Sequence, residues 1–210
     1  MGKTVLFTVF TIVICAIFIF YATHGLTVFT SEGKRRLEIA ENPVTIPNIP
    51  LVSSNGEVFN IHDLAGKIVL VDFIFTNCTG ICPMMTQNFL AMQKKLKQLS
   101  LDEEVILLSI SFDLVRDTQS ALFEYAKSVG AEPNKWKFST VKNISRLKEL
   151  LDVFGIIVIP APNGQFEHNG AIHLVNKSGK LAKIYDYEDI ELILLDLIAS
   201  IKNQNATAIL

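Results

Sequence analysis

Residues 68–85, Ile68-Val69-Leu70-Val71-Asp72-Phe73-Ile74-Phe75-Thr76-Asn77-Cys78-Thr79-Gly80-Ile81-Cys82-Pro83-Met84-Met85, decide the fold. The run from Ile68 to Phe75 is apolar and rich in β-branched residues, the pattern of a strand covered on both faces. Pro83 then opens a helix, since a proline at the first helical position gives up only an N–H that has no partner in any case. That helix spans about 83–99 and carries Met84, Phe89, Met92, Leu96 and Leu99 at helical spacing, which makes them its buried stripe. Cys78 and Cys82 thus lie on a strand-to-helix turn, the place where α/β folds put their chemistry.

With Pro83 first in the helix, Cys82 falls at the N-cap, where free N–H groups and the dipole favour a thiolate. Cys82 is therefore expected to be the more acidic thiol. A single turn over residues 78–82 brings both sulfurs to one face, close enough to share a soft metal ion or to form a disulfide. Gly80 supplies the backbone freedom for that turn. A structural disulfide, or two unrelated core thiols, competes with a chemical role. Met84 and Met85 carry thioethers, but methionine at helical spacing is read as core filler.

Outward from this stretch the chain alternates. Leu51-Val52 and Val58-Phe59 flank Asn55-Gly56, a hairpin turn. A strand over 104–112 precedes a helix over about 117–129, with Leu122, Tyr125, Ala126 and Val129 on its apolar face. Trp136-Lys137-Phe138 is a short strand, and Ile144, Leu147, Leu150, Leu151 and Phe154 mark a helix that stops at Gly155. Ala171 to Val175 and Leu181 to Tyr185 form a hairpin, and a last helix covers about 188–201. The order hairpin, β, α, β, α, β, α, β, β, α is that of an α/β, thioredoxin-like fold with an N-terminal hairpin extension.

The chain has 210 residues, half of them hydrophobic, a net charge of −2 and a mean hydropathy of +0.36. No strong charge imbalance points to nucleic acid. The high hydropathy is local: Thr4 to Thr23 carries no charge and is long enough to cross a bilayer as a helix. Bulky residues run to its end, Phe18-Ile19-Phe20-Tyr21, so an uncleaved anchor is expected and not a cleaved signal. Residues 1–23 are read as this anchor, 24–44 as a tether that holds the domain off the bilayer, 45–202 as the globular domain and 203–210 as a tail. Lys34-Arg35-Arg36 lie beyond the span, against the positive-inside rule, yet a long domain can cross regardless of such charges. The expected placement is a bacterial inner membrane, with the amino terminus in the cytoplasm and the domain outside.

The stretch Phe73-Ile74-Phe75-Thr76-Asn77-Cys78-Thr79-Gly80-Ile81-Cys82-Pro83 resembles the motif of the SCO/SenC family, membrane-anchored, thioredoxin-fold copper proteins that serve cytochrome c oxidase assembly. Ser111-Phe112-Asp113-Leu114-Val115-Arg116-Asp117-Thr118 is similar to the family's Ser-x-Asp-Pro-x-x-Asp-Thr segment, with Leu114 in place of proline. Glu167-His168 resembles its Asp-His. The resemblance covers roughly residues 45–202 and implies copper ligands at Cys78, Cys82 and His168, with the copper-bearing subunit of cytochrome c oxidase as partner.

Two thiolates and an imidazole suit Cu(I), and can hold Cu(II) while the imidazole stays bound. A structural zinc site would need a fourth ligand, and no further cysteine or paired histidine stands outside the span. The alternative function is that of a thiol-disulfide oxidoreductase, in which Cys78 and Cys82 are redox thiols that reduce the cysteines of the oxidase copper site. His168 lies in a Gly- and Asn-rich approach to a strand, whereas His173 lies within that strand and is read as packed. Glu167 or a backbone carbonyl is expected to take the second ring N–H of His168. Asp113 is a candidate neighbour of the thiols or a loop aspartate, Asp117 is expected to cap the helix after it, and His24 and His62 are given no role.

Overall fold

The structure is a computed structural model that describes residues 2–22 and 30–207. Its helices are α1 (Gly2–Ala22), α2 (Ser31–Glu41), α3 (Cys82–Gln98), α4 (Gln119–Ser128), α5 (Ile144–Phe154) and α6 (Ile190–Thr207). Its strands are β1 (Val44–Thr45), β2 (Leu51–Ser53), β3 (Val58–Phe59), β4 (Ile68–Ile74), β5 (Val105–Ser111), β6 (Trp136–Val141), β7 (Val158–Pro160), β8 (Phe166–His168), β9 (Ala171–Val175) and β10 (Lys180–Asp186). Eight strands form one sheet in the order β1-β10-β9-β4-β5-β6-β2-β3, while β7 and β8 form a separate antiparallel pair.

Every residue of β4 and β5 is buried, as the near-continuous apolar run of β4 implies. The parallel steps from β4 to β5 and from β5 to β6 both run toward the same edge, so right-handed crossovers put α3 and α4 on one face. Thr86 of α3 and Tyr125 of α4 confirm this with a 3.0 Å hydroxyl contact. The next connection returns across the sheet to β9, which places α5 on the opposite face, where Phe154 packs on Phe73 and on His173. The strand order reverses direction at β4, and the crevice beyond its carboxyl end is where such a sheet binds ligands.

The core order agrees with the thioredoxin-like arrangement read from the sequence, including the turn at Asn55-Gly56, where the Gly56 N–H donates to Ser53 O at 2.9 Å. One helix differs from the expectation at its ends. The buried face of α3 carries Met85, Phe89, Met92 and Leu96, whereas Met84 is 48% and Leu99 45% exposed. Met85, four residues before Phe89, joins the stripe that Met84 misses, and Leu99 lies just past the last helical residue.

The segment read as a tether contains α2, with Thr30 as its N-cap accepting from the Gly33 N–H. Ile39 is buried against the domain and Arg36 reaches Asp186 at 2.8 Å. Arg35 donates to Val153 O at 3.0 Å, a cation at the carbonyl end of α5. Its guanidinium occupies the space that a Cβ on Gly155 would need, and Gly155 also ends α5 in the left-handed conformation, φ 69°. Residues 23–29, with His24, lie outside the described residues, as do 208–210; the segment read as a tail continues α6 as far as Thr207. The 20-residue apolar stretch Gly2–Tyr21 is long enough to span a membrane as part of α1.

Candidate metal centre

After β4 the chain turns at once, with the Cys78 N–H donating to Phe75 O at 3.2 Å. Thr76 is tied down by Asp117, which accepts from the Thr76 N–H at 3.0 Å and from its hydroxyl at 2.5 Å. Asp117 also accepts from the Ser111 hydroxyl at 2.5 Å. It is therefore not the helix cap expected from sequence: Thr118 caps α4 by accepting from the Ala121 N–H. With three donors on one buried carboxylate, Asp117 instead locks the end of β4 to the end of β5, which fixes the start of the cysteine loop.

Cys82 is the first residue of α3, with Ile81 at the N-cap, and it is fully buried, while Cys78 is half-buried. Its environment works against the acidity expected of it. Burial pushes the Cys82 thiol pKa far up, and the neighbouring Cys78 and the more distant Asp72 add to the rise. The hydrogen bond to the Phe75 backbone opposes this and does not prevail. The helix terminus stabilises a thiolate only where water or a cation shares the load; a sealed sulfur keeps its proton until a metal displaces it.

His168 arrives on the β7–β8 pair. Side chains alternate along β8, so Phe166 and His168 point inward and Glu167 outward. The imidazole stands edge-on to Phe112, 5.0 Å between centroids, and to Phe75 at 6.2 Å. Its Nδ1–H donates to Asn169 O at 3.2 Å, so the backbone carbonyl and not Glu167 sets the tautomer. Nε2 is left with its lone pair 3.4 Å from Cys82 Sγ. Burial lowers the His168 pKa, and the contact to Asn169 O only partly offsets this, which keeps the ring neutral and able to ligate. The Asn169 side chain pins the base of this arm, accepting from the Ile157 N–H at 2.8 Å and donating to Gly155 O at 3.0 Å.

One donor atom each from Cys78, Cys82 and His168 lies within 4.8 Å of the others. Among the described residues this is the metal-competent cluster of histidine, cysteine or carboxylate groups, and its donors are soft enough for a monovalent copper ion. His173 is elsewhere: it is buried under Val71 O and Phe154 O, between Phe73 and Phe154, and burial holds its pKa down to about 3. Asp113 is buried and engages Arg116 through Nε, with Val115 N–H and Arg116 N–H also donating to it. Through that ion pair it holds the guanidinium over the rings of Phe75 and Phe166, at 5.8 and 5.4 Å. Asp113 thus stiffens the aromatic wall beside His168.

Asp72 was not singled out in the sequence, although an acid interrupting an otherwise apolar run was the available signal. It is completely buried on β4 beside Ser109 of β5, and neither carboxylate oxygen has a hydrogen-bond partner. Burial raises its pKa to about 7, with the nearby Ser109 hydroxyl easing the shift. The Ser109 hydroxyl itself accepts from Trp136 Nε1 at 2.9 Å.

The family described as SCO1/SenC matches residues 39–203. The chain is similar to the SCO1 protein homolog of Bacillus subtilis (strain 168), at 32% identity over 177 residues, 83% of this chain and 85% of that one. It is also similar to the solved structure of BsSco, described as a member of the Sco family of cytochrome c oxidase assembly proteins with a disulfide switch. That likeness has 28% identity and a TM-score of 0.65, over 74% of this chain and 92% of that one. ScoI of Arabidopsis thaliana, solved with copper bound, shares the fold at 22% identity and a TM-score of 0.65, over 75% of this chain and 99% of that one.

Proposed function

Because the chain belongs to the SCO1/SenC family, we propose that it is a membrane-anchored copper-binding protein that delivers copper to the copper-bearing subunit of cytochrome c oxidase during assembly. The observation that carries this is the convergence of Cys78, Cys82 and His168, from two separate parts of the chain, to within 4.8 Å. Two thiolates hold Cu(I), and the neutral imidazole adds the harder donor that Cu(II) needs. Three donors leave room for an incoming thiolate, and the half-buried Cys78 is the side from which an acceptor can begin to exchange. Helix α1 anchors the chain with its amino terminus in the cytoplasm and the domain outside, in the inner membrane of a bacterium. A reporter fused after residue 210 should be active only if it works outside the cytoplasm.

Copper titration of the full chain in detergent tests the donor set. His168→Ala should weaken Cu(II) binding and bleach the sulfur-to-copper charge-transfer absorption, while His173→Ala, whose ring faces two carbonyls, should leave the spectrum unchanged. The opposite pattern would reverse the assignment. A second function is favoured by the pair of free thiols side by side: the Cys78–Cys82 dithiol passes two electrons and two protons to a partner disulfide and closes to a disulfide itself. Copper content after purification under reducing conditions separates the two. Near-stoichiometric copper supports delivery, and metal-free protein that reduces insulin supports the reductase.

A further inference from the structure

The pair β7 and β8 makes no ladder with the main sheet, so something other than backbone pairing must hold His168 over the cysteine loop. One side chain spans the gap. Gln165 Nε2 donates to Asn77 O at 3.0 Å, and Gln165 Oε1 accepts from the Thr79 N–H and the Thr79 hydroxyl, both at 3.4 Å. Asn77 and Thr79 are the two neighbours of Cys78, so a single amide grips the loop on both sides of that thiol. Gln165 is itself fixed within a tight turn, where its carbonyl accepts from the Ala161 N–H at 2.8 Å and its N–H donates to Pro162 O at 3.3 Å. From there β8 carries the chain three residues on to His168. An amide serves here because it offers a donor for a carbonyl and an acceptor for an N–H on one planar group.

We infer that Gln165 is a positioning residue: its amide clasps the cysteine loop to the tip of the β7–β8 arm and so sets the His168 imidazole over the thiols. This rests on the assignment of Cys78, Cys82 and His168 as copper donors. The consequence is selective. Cu(II) depends on the imidazole and should feel the loss of the clasp, whereas Cu(I) retains two thiolates and should feel it less. The apolar packing of Phe166 on Phe75 and Phe112, at 5.2 and 5.6 Å, and the Asn169 contacts at the base remain, so the arm should loosen at its tip without unfolding.

The test uses the full chain in detergent, with Gln165→Ala, which deletes the side chain, and Gln165→Met, which fills nearly the same volume without the hydrogen bonds. In the metal-free protein, amide exchange across residues 158–168 should speed up about tenfold in both variants while β4 and β5 stay protected. Cu(II) affinity should fall about tenfold or more, with a smaller loss for Cu(I). Unchanged exchange in the arm, a Gln165→Met variant that behaves as wild type, or equal losses for both copper states together with faster exchange in β4 and β5 would each overturn the clasp. A wild-type chain that takes up no copper would instead refute the donor assignment, and the exchange measurement would still decide the clasp.

Discussion

The two halves of the candidate metal centre are built in opposite ways. The thiols stand at the end of β4, a strand with every residue buried and with partners on both edges, and Asp117 bolts its exit to β5. The imidazole stands on a two-stranded arm with outward-facing Ile157 and Ile159, 64% and 54% exposed, held by side-chain hydrogen bonds and a small aromatic wall. A site assembled this way has one half whose geometry is set by the fold and another whose geometry is set by a few removable contacts. A copper ion held there would meet two sulfurs at fixed positions and one nitrogen whose position can adjust.

The largest break in that comparison is on the rigid side. Cys78→Ser or Cys82→Ser should abolish tight Cu(I) binding, because one sulfur and one nitrogen are left as a mixed two-donor site. Competition with a Cu(I) chelator measures it, and tight binding in the double Ser variant would sink the metal assignment. Unfolding of Cys78→Ser, a half-buried thiol in the loop, would instead point to a structural disulfide.

Next comes Asp72, beneath the same half. Its pKa is about 7 in the folded chain against 3.8 for the ordinary carboxyl, so between those values the folded state holds the proton that the unfolded state has lost. Stability from this group is full below 3.8 and is lost as pH rises through 7, by about 4 kcal/mol at most. Asp72→Asn removes the titration, so its stability above that of the parent should grow from pH 4 to pH 8. Denaturant unfolding at the two pH values checks this, and parallel pH dependence in both proteins would contradict it.

Smaller still is the joint between the halves. A Cβ on Gly170 would land on Ile81 Cδ1 and lie 3.1 Å from Tyr187 and 3.3 Å from Met85 Sδ, so arm and cysteine turn meet there without a side chain between them. Gly170→Ala should cost about 1–3 kcal/mol of overpacking, read in thermal unfolding, with Cu(II) weakened alongside. The smallest effect belongs to Met84, half-exposed at the start of α3. Met84→Ala should shift stability by less than about 0.5 kcal/mol and leave Cu(I) affinity unchanged, and a marked loss of copper would make its thioether a donor.

The rigid half was legible in the sequence because burial leaves a dense trace: an apolar run, a proline, two cysteines. Its electrostatics were not, since spacing places Cys82 near a helix terminus but says nothing about whether water reaches the sulfur. Asp117 was misread for a related reason, as an acid just ahead of a helix looks the same whether it caps that helix or turns back to Thr76. The arm was legible at one point only, His168. Its strands are three residues each, too short for alternation to stand out, and Gln165 and Asn169 act through backbone groups that carry no residue-specific signal.

Helix α2 bears on where this centre can operate. With Arg35 and Arg36 fastening it to the domain, the leash left between α1 and the folded body is the eight residues 23–30 and no longer the whole stretch to β1. Fully extended, such a leash reaches about 30 Å at most. For a chain anchored through α1, the domain would then stay within a thin layer above the bilayer. If copper delivery is its role, the proposed acceptor would have to come to it at that surface.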